Sequence, residues 1–176
     1  KKAEEYLLKA LTIQKKYNDD LIEEDLINTY SNLSQLFQRL SDFRKAEKYI
    51  LEAIDINDRL FGTKNITHIQ LLDQYADIKM DKDNYSEAIN IYKKNLIDLQ
   101  ELDIKGFDYS NVLNALGLAY WELGDYKKAK EFLNATLIND KKLLKKLDVE
   151  YATTIHNLAL VYDDEGSFQK AEELFL

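Results

Sequence analysis

The chain has 176 residues, 45% of them apolar and 32% charged, with a net charge of -8, Gly 5, Pro 0 and Cys 0. The apolar share is enough for a core, the charged share points to amphipathic helices with wet outer faces, and the near-absence of breakers predicts an all-α chain. Zero cysteine excludes disulfides, thiol catalysis and thiolate metal sites. It also fits a reducing compartment, so the cytoplasm is the expected location. The acidic balance is opposite to the basic face of a nucleic-acid binder, and no apolar run approaches the ~20 residues of a membrane helix.

Along the chain the same text returns. KKAEEYLLKAL (Lys1 to Leu11) comes first, then LSDFRKAEKYI (Leu40 to Ile50), KDNYSEAINIY (Lys82 to Tyr92), LGDYKKAKEFL (Leu123 to Leu133) and EGSFQKAEELF (Glu165 to Phe175). Their alanines are Ala3, Ala46, Ala88, Ala129 and Ala171, at steps of 43, 42, 41 and 42. Such periodicity marks a stacked repeat. Residues 1–18 are expected to be the second helix of a repeat whose first helix is missing. Units follow at 26–61, 68–104 and 108–147, and a last one from 150 stops inside its second helix at Leu176, so the native protein is expected to be longer or its ends disordered.

Each unit opens with a first helix, whose core reads TYSNLSQLF, LLDQYADIK, VLNALGLAY or TIHNLALVY. Tyr30, Leu33 and Phe37 recur at i, i+3 and i+7, as do Leu113, Leu116 and Tyr120, and Ile155, Leu158 and Tyr162. This is one apolar stripe on a helical period. Asp42, Asn84, Asp125 and Ser167 then stand as N-caps of the second helix, each expected to satisfy a free backbone N–H. Gly124 and Gly166 precede the cap in two units, where a tight turn is expected to leave no room for bulk. The second helix begins with Phe43, Tyr85, Tyr126 or Phe168, and the alanine follows three residues on. Its methyl lets two helix backbones approach closely, and a larger group there should cost about 1–3 kcal/mol. A helix pair of this kind cannot bury its stripe alone and must stack on its neighbours.

These residues resemble the tetratricopeptide repeat: a large apolar residue, Leu, a small residue and Tyr in the first helix, then a turn Gly, an aromatic and Ala. Ile155, Leu158, Ala159, Tyr162, Gly166, Phe168 and Ala171 match every position, as do Leu113, Leu116, Gly117, Tyr120, Gly124, Tyr126 and Ala129. The second unit departs, with Tyr75 for Leu, Lys79 for Tyr and Asp83 for Gly. The repeat is about 42 residues rather than the usual 34. The run Ala152 to Phe175 resembles the long-repeat subclass found in kinesin light chains. The implied fold is an all-α, right-handed superhelical solenoid of antiparallel helix pairs.

In the resembled family, peptides lie in a concave groove lined by the first helices. Carried over by register, that groove holds Asn32, Asn114 and Asn157, with His156 beside them. A carboxamide both donates and accepts, so it can grip a peptide backbone whatever its side chains. The single tryptophan, Trp121, falls on the same rows beside Leu118 and Leu160, a composition suited to an apolar anchor pocket. Charge narrows the ligand. Chiefly Arg39 stands against Asp73, Asp77, Asp81, Glu122, Asp163 and Asp164 on these rows. A basic or neutral segment is therefore expected, rather than an acidic one.

No catalytic set is expected. His68, read as part of an exit loop, and His156 have no metal-ligand spacing, and no Gly-rich phosphate loop is present. Neither cofactor nor metal is implied, and neither nucleic acid nor membrane is an expected partner. The dense basic run KKLLKK, Lys141 to Lys146, reads as the solvated end of a helix. The expected function is a non-catalytic scaffold for a protein or peptide partner, as in a kinesin light chain-like cargo adaptor. The alternative is a regulatory or sensor module of a larger signalling protein. The apolar end faces also allow end-to-end self-association.

Overall fold

A computed structural model describes residues 2–16, 20–143 and 149–175. The ends of the expected units at 17–18, 144–147 and 176, and half of the basic run, lie outside these residues. Among the described residues there are nine helices and no strand: α1 (Lys2–Gln14), α2 (Asp20–Arg39), α3 (Phe43–Phe61), α4 (Ile66–Asp81), α5 (Tyr85–Glu101), α6 (Phe107–Glu122), α7 (Tyr126–Leu143), α8 (Val149–Asp164) and α9 (Phe168–Phe175). The first-helix text thus falls on α2, α4, α6 and α8, and the second-helix text on α1, α3, α5, α7 and α9. Helix α2 begins at Asp20, ahead of the expected opening at residue 26.

The chain divides into two compact units, Lys1–Asp83 and Asn84–Leu176. In the first, α1 to α4 close on one core. The stripe residues Tyr30, Leu33 and Phe37 of α2 meet Ala46, Ile50 and Ala53 of α3, with Leu11 from α1 and Leu71 and Ile78 from α4. In the second, α6 packs on α7 and α8 on α9, burying Leu113, Leu116, Ala129, Leu133, Leu158, Ala159 and Ala171. The small residues are small for a reason seen at Gly117. A Cβ built there would lie 2.7 Å from Leu133 Cγ and 3.4 Å from the Ala129 carbonyl oxygen. At the corresponding place in α2, Ser34 is fully buried and its hydroxyl donates to the Ala46 carbonyl at 2.8 Å.

The turns between paired helices share one geometry. Asp42 N–H donates to Phe37 C=O at 2.9 Å and Ser41 N–H to Gln38 C=O at 2.8 Å. Asp125 and Gly124, and Ser167 and Gly166, repeat the pattern on α6 and α8. This is a helix C-terminus closed through one left-handed residue. The φ values are 78° at Gly124 and 83° at Gly166, but also 57° at Ser41 and at Asp83. The expected reason for glycine is therefore corrected. Nothing lies within 4 Å of a Cβ at Gly124 or Gly166, so backbone handedness selects glycine, not lack of room.

The caps divide. Asp42 accepts from Lys45 N–H at 3.2 Å and Asp125 from Lys128 N–H at 3.1 Å. Asn84 makes no side-chain cap bond, because its amide is drawn to Glu87 at 2.6 Å. Ser167 likewise turns its hydroxyl to Glu165, at 3.3 Å. Helix α4 has a cap that the repeat text does not show: Asn65 accepts from His68 N–H at 2.8 Å. His68 itself sits in the first turn of α4, not in a loop. It is buried, and its Nδ1 lies 2.5 Å from Asp58 Oδ1, tying the end of α3 to the start of α4.

Lys79, one of the departures from the repeat pattern, is only 8% exposed. Its ammonium lies 2.7 Å from Glu47 and 4.6 Å from the centre of the Tyr75 ring. Burial works against that charge, but the Glu47 carboxylate and the Tyr75 hydroxyl outweigh it and hold Lys79 above the usual lysine range. Glu47 also takes Lys82 at 2.9 Å. The charge of the unusual Lys79 is therefore compensated by Glu47, beside the equally unusual Tyr75. In the second unit Lys130 of α7 meets Glu165 at the end of α8, the same link with its charges exchanged.

Candidate functional site

The faces of α2, α4, α6 and α8 carry the polar rows expected to hold a ligand. Within each unit the structure joins these rows between its two first helices, through residues 43 apart. In the first unit Ser31 Oγ donates to Gln74 Oε1 at 2.8 Å, and Gln74 Nε2 returns a bond to the Ser31 carbonyl at 3.0 Å. One end further on, Gln38 Nε2 donates to Asp81 at 2.7 Å. In the second unit the same two rungs are Asn157 Nδ2 to Asn114 Oδ1, at 3.4 Å, and Trp121 Nε1 to Asp164 Oδ2, at 2.7 Å. Each of these rungs spans one repeat step plus one residue.

Asn32 lies in the first unit, exposed on α2. The other six expected residues lie in the second unit, on α6 and α8. Asn114, Leu118, Trp121, Asn157 and Leu160 are each partly buried. Trp121 and Leu118 are three residues apart on α6 and so share a face. Leu160 sits one turn before Asp164, the residue that holds the indole N–H. His156 is exposed, and its ring lies 5.6 Å from that of Phe175 in α9. Asn114 and Asn157 are fastened through a single long bond. That leaves the Asn114 amide to donate and the Asn157 carbonyl to accept.

One feature of the site was not anticipated. A cleft of about 230 Å³ opens between the first turns of α6 and α8 and the last turns of α7. Asn111 and Asn114 line it from α6, Thr136 and Asp140 from α7, and Glu150 and Thr153 from α8. Asp140 is 2% exposed. Its Oδ1 accepts from Ser110 Oγ at 2.5 Å, and Asn139 Nδ2 donates to the same hydroxyl at 2.9 Å. A signal for this residue was present: the matching positions of the earlier units are Asn57 and Leu99, both fully buried. A carboxylate at an interior register position stands out once the repeats are aligned through the whole second helix.

Among the described residues no group of three His, Cys, Asp or Glu could hold a metal ion, and no helix is long and apolar enough to cross a membrane.

A family model described as the tetratricopeptide repeat matches residues 25–96, 67–142 and 108–176. Among curated proteins, the uncharacterized protein ycf37 of Pyropia yezoensis is 30% identical over 104 residues, which is 57% of this chain and 53% of that one. This chain thus spans about half the length of that relative. Among solved structures, BtubC (BKLC) of P. vanneervenii is similar at a TM-score of 0.79 and 23% identity, over 98% of this chain and 72% of its own. A kinesin light chain-like protein of P. anserina with nearly identical TPR-like repeats gives 0.78 and 18%, over 99% and 82%. A Rap protein complexed with competence and sporulation factor gives 0.81 and 16%, over 98% and 46%. At these identities the structural likenesses establish the fold, an all-α repeat solenoid. With the family model matching from residue 25 to residue 176, the chain belongs to the tetratricopeptide repeat family.

Proposed function

We propose that the chain is a non-catalytic interaction scaffold that binds a peptide segment of a protein partner on the face formed by α6 and α8. The observation that carries this reading is the placement of Trp121. Its indole N–H is held by Asp164 at 2.7 Å, and the ring stays partly exposed on the same face as Leu118. An aromatic fixed in advance loses little entropy on binding, which is what makes an anchor effective. Asn114 and Asn157 supply a donor and an acceptor beside it for an extended backbone. Asn32 presents the same group type on α2 of the first unit. His156, packed on Phe175, would border the segment.

Charge supports a basic or neutral segment over an acidic one. Asp81, Glu122, Asp163 and Asp164 stand on the rows, and the matching basic residue is Arg39. The likeness to kinesin light chain-like repeats supports a cargo-adaptor role in the cytoplasm. A second reading, a peptide-sensing module of a larger signalling protein, is favoured by the likeness to the factor-bound Rap protein.

The test is a selection from a random peptide library on the immobilised protein. The enriched peptides are then measured on wild type and on the double variant Asn157→Ala, Trp121→Ala, with helix content checked by circular dichroism. Losing the anchor should weaken binding about thirtyfold, equivalent to ~2 kcal/mol. Peptides that bind both proteins equally would move the site off this face.

A further inference from the structure

We infer that the cleft over Asp140 is a subsite for a single arginine side chain of the bound segment. The inference rests on the peptide-binding reading above and gives that segment one required residue.

Size comes first. Sites for whole drug-sized ligands run to ~300–1,000 Å³. At about 230 Å³ the cleft suits one long side chain. It also opens beside Asn111 and Asn114, on the face where the segment is placed, so a residue of that segment can reach it without a change of path.

Charge decides the class. The floor is Asp140, 2% exposed, with Oδ1 committed to Ser110 and Oδ2 left for a donor. The wall adds Glu150, and no cationic residue is among the described residues that line the cleft. A carboxylate this far from water is costly unless it is satisfied by charge or by hydrogen bonds, and one hydroxyl donor is a modest return. A cation entering from a partner would complete it.

Shape then selects arginine over lysine. Acceptors stand on three helices, from Asp140, Glu150 and the carboxamide of Asn111. A planar fork with five N–H groups can address several of them together, whereas an ammonium makes a point contact. Two apolar side chains edge the mouth, Phe107, 51% exposed, and Val149, 74% exposed. A guanidinium stacks on an aromatic face, and the arginine stem covers apolar surface. This also accounts for large apolar side chains left open beside a charged floor.

The test uses a probe that needs no known partner. Acetyl-arginine methylamide is titrated into the 15N-labelled protein, with the citrulline and lysine analogues as controls. The backbone amides of Asn111, Asn114 and Thr153 should shift with the arginine probe, saturating in the millimolar range. Citrulline, equal in shape but neutral, should produce at least a tenfold weaker response, and lysine a clearly weaker one. Asp140→Asn keeps an acceptor for Ser110, so it should fold, and it should weaken the arginine response about tenfold. Glu150→Gln, at an exposed position, should weaken it severalfold and guards against a folding defect in the first variant. Equal shifts from citrulline, equal shifts from lysine, or an unchanged response in both variants would each overturn the inference. The two readings fail separately. Selected peptides that lose affinity in the Asn157→Ala, Trp121→Ala variant but ignore the Asp140→Asn change would sink the arginine subsite and leave the peptide face standing. An arginine probe seated in the cleft, with no peptide sensitive to the double variant, would do the reverse.

Discussion

Replacing Gly117 with alanine probes the closest helix crossing in the second unit. The new methyl carbon would stand 2.7 and 2.8 Å from Cγ and Cδ2 of Leu133 and 3.4 Å from the Ala129 carbonyl oxygen. Carbon atoms settle at about 3.5–4.0 Å, so Leu133 would have to retreat by roughly 0.8 Å or more. It is fully buried in an interior packed without slack, and Cγ is close to the backbone rather than a flexible end. Overpacking of this kind costs about 1–3 kcal/mol. Against it stands the helix preference of alanine over glycine, about 1 kcal/mol. The expected net is a loss of ~1 kcal/mol, read as a lower midpoint of urea unfolding by circular dichroism and a Tm lower by about 2–4 °C. The control is the same change made in a Leu133→Ala background. With the obstructing side chain gone, Gly117→Ala should become stabilising, and the two changes should couple by about 1 kcal/mol or more. A gain in stability from Gly117→Ala alone would refute the close crossing of α6 and α7.

Other outcomes follow from the turns and the ion pairs. Ser41 holds a φ of 57° without being glycine, so Ser41→Gly should raise stability by about 0.5–1 kcal/mol, and Gly124→Ala should lower it by about 1 kcal/mol; thermal unfolding reads both. Glu47→Gln removes the charge opposite Lys79 and should cost ~2–3 kcal/mol, below the range for a fully buried pair because Glu47 keeps some water. The pH dependence has a definite sign. Burial disfavours the Glu47 anion, but bonds from Lys79 and Lys82 win and hold it below its ordinary value of 4.5. Its contribution is therefore present above that value and fades as pH falls through the lower folded one, while the share of Lys79 is lost only above the usual lysine range. Urea midpoints of wild type and Glu47→Gln should stay apart at neutral pH and converge in acid.

The fold was legible because its signal is periodic. A stripe repeating every 42 residues or so fixes which faces must meet, and α2, α4, α6 and α8 carry it. The turns show what such a pattern hides. Glycine at 124 and 166 suggests lack of space, whereas the left-handed backbone at Ser41 and Asp83 shows that handedness is what all these turns share. Cap chemistry was legible at Asp42 and Asp125 but not at Asn84, where Glu87 competes for the side chain. The polar rows could be placed on helices from register, but the bonds between them could not. Those depend on how the two first helices of a unit lie against each other, which sets position i beside i+43 and ties Trp121 to Asp164. Lys79 departs from the repeat pattern in the sequence, and only the structure shows it in a buried ion pair with Glu47. Asp140 was within reach of the same alignment that revealed the repeats.

The most direct test of the peptide-binding face exploits the single tryptophan, since all indole emission comes from Trp121. A peptide enriched on the wild-type protein is titrated in, with binding measured in parallel by calorimetry. The account predicts that emission shifts to the blue and saturates at the calorimetric Kd, and that binding weakens as salt is raised. Binding that leaves the Trp121 spectrum unchanged would contradict it and place the partner elsewhere on the solenoid.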